Sequence, residues 1–369
     1  MKLTRLVLLL ICVSVLIVNL SAQTDKKDED EVIRVDTQLV DVPIVVTDKS
    51  GKPILDLKQT NFIIYEDGKK QEVSEFGATN APFEVGLLLD TSGSTRSDLT
   101  LIQRAAANFI ASLRAGDKVS VISYKTERNS TQAFAMSEVL SALTDDRDKL
   151  KTVLEAVKTS NGTPYYDSLL QVAEKVFGKR AEDDFRGRRA LVALTDGVDS
   201  VSAAEFDEAK EELEKAGITC YFIQVNTREF FEENLLGDCQ SAIRFSVAQI
   251  RRYYRTYYPR SNVEKTFNFC GLGDFERLAM SKGLYELADK QMNDLARNSG
   301  GRVFPVQDLS EARTAFKAVA DEIGTKYSLG YYSSNEKRDG TYRKIKIELK
   351  GVPTGAQIRA REGYTAPTN

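Results

Sequence analysis

The chain has 369 residues, of which 42% are hydrophobic and 28% are charged, and its net charge is −3 at pH 7. This balance predicts a folded protein with a sizeable core and no broad basic field, so nucleic acid is not an expected partner. The sequence contains no histidine, which excludes Ser-His-Asp and Cys-His catalysis, His-ligated zinc and imidazole acid–base chemistry.

The first 22 residues are typical of a secretory signal peptide. A basic start with Lys2 and Arg5 precedes an apolar run that ends in small residues. We expect cleavage after Ala22; the alternative is an uncleaved anchor, which would be the chain's contact with a membrane. The expectation is therefore an exported protein, secreted or held in the periplasm or cell envelope, with a charged linker at residues 23–31.

Two terminal segments have the alternating pattern of antiparallel β structure. Residues 32–82 contain β-branched runs separated by turn signals that end in Gly51 and Gly68. Residues 327–366 return to the same period of two. Because neither segment has enough strands for a core of its own, we predict that they pair in one β-sandwich.

Between these segments, residues 83–326 alternate buried strands with helices. Continuous apolar strands end at Asp90 and Asp196, and the stretches between them have helical periodicity. The alternation predicts an α/β fold, a doubly wound and mostly parallel sheet inserted into the β-sandwich. Ligands of such sheets bind beyond the carboxyl ends of the strands, so both aspartates should face one crevice.

Hydroxyl groups are crowded around the first of these aspartates. The stretch GLLLDTSGST places Ser92 and Ser94 on either side of Gly93, which is more than a turn and one cap require. Thr163 stands immediately before a helix that Pro164 begins. The alternative interpretation is that these residues only cap helices and shape turns, and it requires them to share one crevice by chance.

Three separated motifs resemble the metal-ion-dependent adhesion site of von Willebrand factor A domains. The motifs are D-x-S-x-S at Asp90, Ser92 and Ser94, a Gly-Thr-Pro-Tyr-Tyr-Asp setting around Thr163, and LTDG at Asp196. The resemblance covers about residues 83–326. The flanking segments resemble the VWFA-related proteins described mainly from Acidobacteria.

The resemblance implies a divalent cation site with a binding function and no catalytic residue. Ser92, Ser94 and Thr163 would supply neutral oxygens directly, while Asp90 and Asp196 would hold coordinating waters. The expected cation is Mg²⁺, and Ca²⁺ and Mn²⁺ are the alternatives. A cation held mostly by neutral groups keeps an exchangeable position for a Glu or Asp carboxylate of a protein partner.

The predicted function is therefore metal-dependent protein binding or adhesion. One alternative is an enzyme or enzyme subunit in which Mg²⁺ polarises a substrate oxygen. A second alternative is an envelope scaffold whose binding does not require metal.

Residues 227–283 interrupt the connection between a strand and the next helix, where two to about six residues are usual. This insertion leaves the carboxyl end of a parallel strand, so its root should lie beside the metal crevice. Its stretch IRRYYRTYYPR contains residue types typical of recognition, but helical packing is equally compatible with it. In this stretch and just before it, apolar residues recur with helical spacing at Ile243, Val247, Ile250 and Tyr254.

Three cysteines remain after the expected cleavage. In an oxidising compartment, Cys239 and Cys270 are the expected pair, with Cys220 left inside an apolar strand. Beyond the insertion, a helix is expected from Leu284, and the glycines of RNSGGRVF are expected to terminate it.

Overall fold

The structure is a computed structural model. It describes residues 39–368 apart from residues 80, 94–98, 131, 180, 183, 184, 186 and 261–267. The predicted signal peptide, the linker and the first seven residues of the N-terminal β segment lie outside the described residues. Within the described part, no helix combines the length and apolar character that crossing a membrane requires.

The N-terminal segment forms four strands: β1 (Leu39–Thr47), β2 (Phe62–Glu66), β3 (Lys69–Gln71) and β4 (Glu75–Gly77). Six strands follow in the central sheet: β5 (Glu84–Leu89), β6 (Lys118–Arg128), β7 (Ala133–Val139), β8 (Arg189–Thr195), β9 (Thr219–Val225) and β10 (Arg302–Val306). The C-terminal segment forms β11 (Tyr327–Tyr332), β12 (Tyr342–Leu349), β13 (Gln357–Ala360) and β14 (Gly363–Thr365).

Eight α-helices lie between β5 and β11 in the described residues: α1 (Leu99–Ser112), α2 (Arg147–Glu155), α3 (Tyr165–Gln171), α4 (Phe206–Lys215), α5 (Arg228–Glu233), α6 (Val247–Tyr257), α7 (Asp274–Ser299) and α8 (Ala312–Ile323). A π-helical turn, Val172–Val176, continues α3. Gly300 has φ 75° at the C-cap of α7, so the expected glycine termination is present.

The central sheet has the order β10-β9-β8-β5-β6-β7. The strand β7 pairs antiparallel with β6, and the other neighbours are parallel. Apolar side chains of α1, α2 and α8 cover one face, and those of α3, α4 and α7 cover the other. The chain leaves β5 towards β6 and later returns to β8 on the opposite side, so the strand order switches between β5 and β8.

Both terminal segments contribute to both sheets of the sandwich. The sheets have the orders β13-β1-β11-β4 and β14-β12-β2-β3. The strand β1 pairs antiparallel with β11, and β2 pairs antiparallel with β12. Between the sheets, buried Glu66 accepts hydrogen bonds from Tyr331 at 2.8 Å and Tyr364 at 3.0 Å and lies 3.4 Å from Arg343. The predicted fold, a doubly wound α/β sheet inserted into a β-sandwich, is confirmed.

Arg188 fixes the junction between the sandwich and the central sheet. It stands just before β8 and is 1% exposed. Its Nη1 donates to the carbonyls of Ala78 and Lys326, each at 3.1 Å. These carbonyls lie at the two crossings between sandwich and sheet, so one guanidinium holds both crossings together.

The insertion has a small core of its own. Its buried apolar residues are Leu235, Phe245, Ile250, Tyr253, Phe269 and Leu272, packed with Met280 and Leu284. Cys239 and Cys270 form a disulfide, and Cys220 is free and buried in β9. The insertion is therefore an ordered subdomain over the residues that the structure describes.

Two details of the insertion differ from the sequence prediction. Val247 is 50% exposed, because α6 begins after the capping residue Ser246 and buries Gln249, Ile250 and Tyr253 instead. The next helix begins at Asp274 rather than Leu284. Gly283, the last residue of the predicted insertion, therefore lies inside α7.

Candidate metal centre

Asp90 is fixed at the end of β5 by its neighbours on β8. Its backbone N–H donates to the Leu194 carbonyl at 2.9 Å. Its Oδ1 accepts from the backbone N–H of Ser92 at 3.0 Å, and its Oδ2 accepts from Thr195 Oγ1 at 2.8 Å. Asp90 and Ser92 are 2% and 4% exposed. The turn after β5 thus places Ser92 directly over the aspartate, while Ser94 lies outside the described residues.

Thr91 has a structural role that the sequence left unassigned. Its Oγ1 donates to the carbonyl of Tyr124 at 3.2 Å, and its own carbonyl accepts from Ser160 at 2.7 Å. The residue is fully buried. Thr91 therefore connects the turn after β5 to β6 and to the loop that carries Thr163.

Asp196 follows β8 and is held by two donors. Its Oδ1 accepts from the backbone N–H of Val198 at 2.9 Å, and its Oδ2 accepts from Thr227 Oγ1 at 2.5 Å. Thr227 Oγ1 is also 2.8 Å from the hydroxyl oxygen of Tyr285. The carboxylate is thereby connected to the insertion and to α7, and the sequence analysis missed both contacts.

Thr163 is held through its backbone. Its N–H donates to Ser200 Oγ at 2.8 Å, and its carbonyl accepts from the Ser200 N–H at 2.9 Å. The residue is 8% exposed. Because the backbone makes these two bonds, the position of the Thr163 loop does not depend on the side-chain hydroxyl.

A buried ion pair beneath the loop after β8 was also missed by sequence reasoning. Asp199 is 2% exposed, and its Oδ1 lies 2.9 Å from Arg252 Nη2. Arg252 also donates to the Asp199 carbonyl at 3.0 Å and stacks on the Tyr166 ring at 4.6 Å. The Arg252 side chain of α6 therefore anchors the insertion to the site; in the sequence it was one of several arginines in IRRYYRTYYPR.

The electrostatics of the centre favour a cation. Burial raises the pKa of Asp90 above its usual range. Burial and the nearby Asp90 raise the pKa of Asp196 to about 7. Burial also raises the pKa of Asp199, although Arg252 opposes the shift. Carboxylates with raised pKa values in one crevice are stabilised in their charged forms by a positive ion.

The candidate ligands open onto one cavity of about 440 Å³. From the site, the cavity is lined by Ser92, Gly93, Asn161, Gly162, Thr163, Asp196, Val198 and Ser200. The described residues contain no cluster of three or more His, Cys, Asp or Glu side chains that could hold a metal. Ser92 and Thr163 on this lining carry hydroxyl oxygens, and oxygen ligands suit a hard divalent cation.

The structure brings together the predicted residues that it describes. Ser92, Thr163 and Asp196 line the same cavity, and Asp90 lies behind Ser92 through the hydrogen bond described above. Their action as ligands stays a prediction. The insertion also lines this cavity, as the position of its root predicted.

Comparison with known proteins identifies part of the chain. Residues 85–198 match the family model of the von Willebrand factor type A domain. No curated protein matches the chain.

Several solved structures are similar to this chain at low sequence identity. Proximal thread matrix protein 1 from the mussel byssus is 13% identical with a TM-score of 0.40, covering 66% of this chain and 47% of its own. BatB from Bacteroides thetaiotaomicron is 16% identical with a TM-score of 0.38, covering 65% and 98%. A von Willebrand factor type A protein from Catenulispora acidiphila is 11% identical with a TM-score of 0.41, covering 90% and 75%.

This chain spans about half the length of the mussel protein. The segment matched by the family model runs from β5 to the loop after β8 and contains Asp90, Ser92, Thr163 and Asp196. The chain therefore contains a von Willebrand factor type A domain.

Proposed function

We propose that this chain is an exported protein-binding module in which a divalent cation bridges to a Glu or Asp carboxylate of a partner protein. The observation that carries the proposal is the convergence of Ser92, Thr163 and Asp196 on one cavity at the switch in strand order. Ligands of open α/β sheets bind at this position.

Each residue has a proposed role in a complete metal-ion-dependent adhesion site. The hydroxyls of Ser92 and Thr163 coordinate directly, and the motif adds Ser94. Asp90 and Asp196 hold coordinating waters and orient the hydroxyls. When bound, Mg²⁺, or alternatively Ca²⁺ or Mn²⁺, supplies Lewis acidity and an exchangeable position for the partner's carboxylate.

Binding is favoured over catalysis by the composition of the chain. The sequence has no histidine, and among the described residues that line the cavity Asp196 is the only carboxylate, whereas acid–base catalysis commonly uses a positioned pair of such groups. Export is supported by the signal-like sequence of residues 1–22 and by the disulfide between Cys239 and Cys270, since disulfides persist in oxidising compartments.

The proposal is tested by capture of proteins from an envelope extract on the immobilised chain. We expect capture in Mg²⁺, loss of the captured protein in chelator, and the same loss with Thr163→Ala and Asp196→Ala. Circular dichroism establishes that both variants are folded. Undiminished capture by folded variants, or in chelator, would reject a metal-bridged interaction and favour a metal-independent scaffold.

A further inference from the structure

The remaining wall of the 440 Å³ cavity is mostly apolar and is built mainly by the insertion. Its apolar lining is Phe230, Phe231, Ile243 and Phe245 of the insertion, together with Leu284 of α7. The volume lies within the range of about 300–1,000 Å³ that is typical of ligand pockets. One cavity thus combines a cluster of oxygen ligands with an apolar wall.

This wall is fixed relative to the metal centre. The Phe231 ring packs against Phe245 at 5.4 Å and against Tyr285 at 6.3 Å between centroids. The Tyr285 hydroxyl lies 2.8 Å from Thr227 Oγ1, which donates to Asp196. The apolar wall and the candidate metal ligands are therefore joined by direct contacts.

The cavity also has charge that suits an acidic ligand. Arg244 is exposed and lines the cavity. Its Nε donates to the Cys239 carbonyl at 3.0 Å, next to the disulfide with Cys270. Arg244 therefore lies within the loop closed by the disulfide and adds positive charge to the cavity lining, which favours a ligand that carries a carboxylate.

Exposed apolar side chains are concentrated on the insertion. Among the described residues, twelve large hydrophobic side chains are exposed and six of them belong to residues 227–283. These six are Phe230, Leu236, Val247, Tyr257, Tyr258 and Phe275. Phe230 differs from the other five because it also lines the cavity.

We propose that the cavity is a two-part recognition site for an extended protein segment in which a Glu or Asp residue is followed or preceded closely by a large apolar side chain. The carboxylate reaches the cation, and the apolar side chain enters the space lined by Phe230, Phe231 and Phe245. The inference rests on the proposed function, and it assigns the insertion the selection of the residue beside the acid. Aromatic walls of this kind supply much of the affinity at protein interfaces.

The test uses a displayed library of random linear peptides, selected on the full chain in Mg²⁺ and in chelator. We expect enrichment, in Mg²⁺ alone, of peptides that place an acidic residue within about three positions of Phe, Leu, Ile, Tyr or Trp. A selected peptide and its Asp→Asn and apolar→Ser forms are then measured by fluorescence anisotropy.

Two phenylalanines of the insertion provide matched variants. Phe230 is 51% exposed and lines the cavity, whereas Phe275 is 89% exposed and does not. Phe230→Ala should weaken binding of the selected peptide about tenfold. The Phe230→Ala chain should then bind the selected peptide and its apolar→Ser form with equal affinity. Phe275→Ala should leave both affinities unchanged.

The outcomes separate this inference from the proposed function. Two results would overturn the two-part site and leave the cation bridge intact. One is metal-dependent enrichment of peptides whose acidic residue has no apolar neighbour, and the other is an equal effect of Phe230→Ala and Phe275→Ala on peptide affinity. Enrichment of apolar peptides that ignores acid and metal overturns both. Absence of any enrichment also overturns both.

Discussion

Thr227 Oγ1 donates a hydrogen bond of 2.5 Å to Oδ2 of Asp196. Thr227 is the first residue of the insertion, and Asp196 is the third residue of the LTDG motif and directly follows β8. The insertion therefore begins in direct contact with a residue of the proposed metal centre. Groups that orient the ligands of a metal contribute strongly to its affinity, so we expect the insertion to contribute to the proposed centre.

Thr227→Val should weaken Mn²⁺ binding by about tenfold, because Asp196 loses one of the two donors that orient its carboxylate. Isothermal titration calorimetry measures the change. Tyr285→Phe is the control, since it removes the second hydroxyl and leaves Thr227 able to donate to Asp196. Equal affinities of Thr227→Val and the wild type would show that this hydrogen bond does not support the centre.

The metal-free protein should lose stability as the pH rises from 5 to about 8. The pKa of Asp196 is raised to about 7 in the folded chain, above the value near 3.9 of an unfolded aspartate. Between these two pKa values the folded state binds a proton on Asp196 that the unfolded state does not bind. The resulting stabilisation is complete below the unfolded pKa and is lost as the pH rises through about 7.

The measurement is the melting temperature across this pH range in chelator, compared with Asp196→Asn. We expect the decrease in melting temperature with rising pH to be smaller in Asp196→Asn, because the asparagine side chain does not titrate. Saturating Mg²⁺ should also reduce the fall in the wild type, because the cation stabilises the charged carboxylate. A wild type and variant with the same pH dependence would contradict the assignment.

The disulfide should contribute about 3–4 kcal/mol to stability, since it closes a loop with a sequence separation of 31. The double variant Cys239→Ser/Cys270→Ser should unfold at a lower urea concentration by this free energy. Dithiothreitol should reproduce the decrease in the wild type and have no effect on the double variant. A decrease with reductant in the variant would assign the effect to another group.

Gly283→Ala should destabilise the chain by about 1–2 kcal/mol, although alanine is the better helix former. A Cβ on Gly283 would lie 2.7 Å from the Tyr253 ring and 2.9 Å from the Tyr257 ring. Urea unfolding measures the change. Gly271→Ala is the control, because its Cβ would meet nothing closer than 4.0 Å. A stabilised Gly283→Ala variant would show that the rings move aside freely.

The apolar runs predicted the central sheet because its inner strands β5, β8 and β9 are buried on both faces, so the pattern is visible within each strand's own sequence. The same holds for Asp90 and Asp196, since strand ends and turn residues are visible in the sequence. The pairing of the terminal segments could also be predicted from the sequence, because two short β segments need each other to bury a core.

The details that failed depend on contacts distant in sequence. The insertion was expected to end at Gly283 before the helix, yet α7 begins at Asp274 and continues through Gly283, against which the Tyr253 and Tyr257 rings pack. Arg252 could not be distinguished from its neighbouring arginines until the fold placed Asp199 beside it. Helical periodicity predicts that a stripe is buried, but the partner surface decides which residues form it.

The central claim is tested most directly by isothermal titration calorimetry, in which Mn²⁺ is titrated into the full chain and into Thr163→Val. The variant keeps both backbone hydrogen bonds to Ser200 and loses only the proposed ligand. The control is Thr91→Val, which removes another buried hydroxyl from the turn after β5, one that donates to the Tyr124 carbonyl and does not line the cavity. We predict one Mn²⁺ per wild-type chain, binding at least about tenfold weaker in Thr163→Val, and nearly unchanged binding in Thr91→Val. Equal Mn²⁺ affinity of the wild type and Thr163→Val would contradict the account.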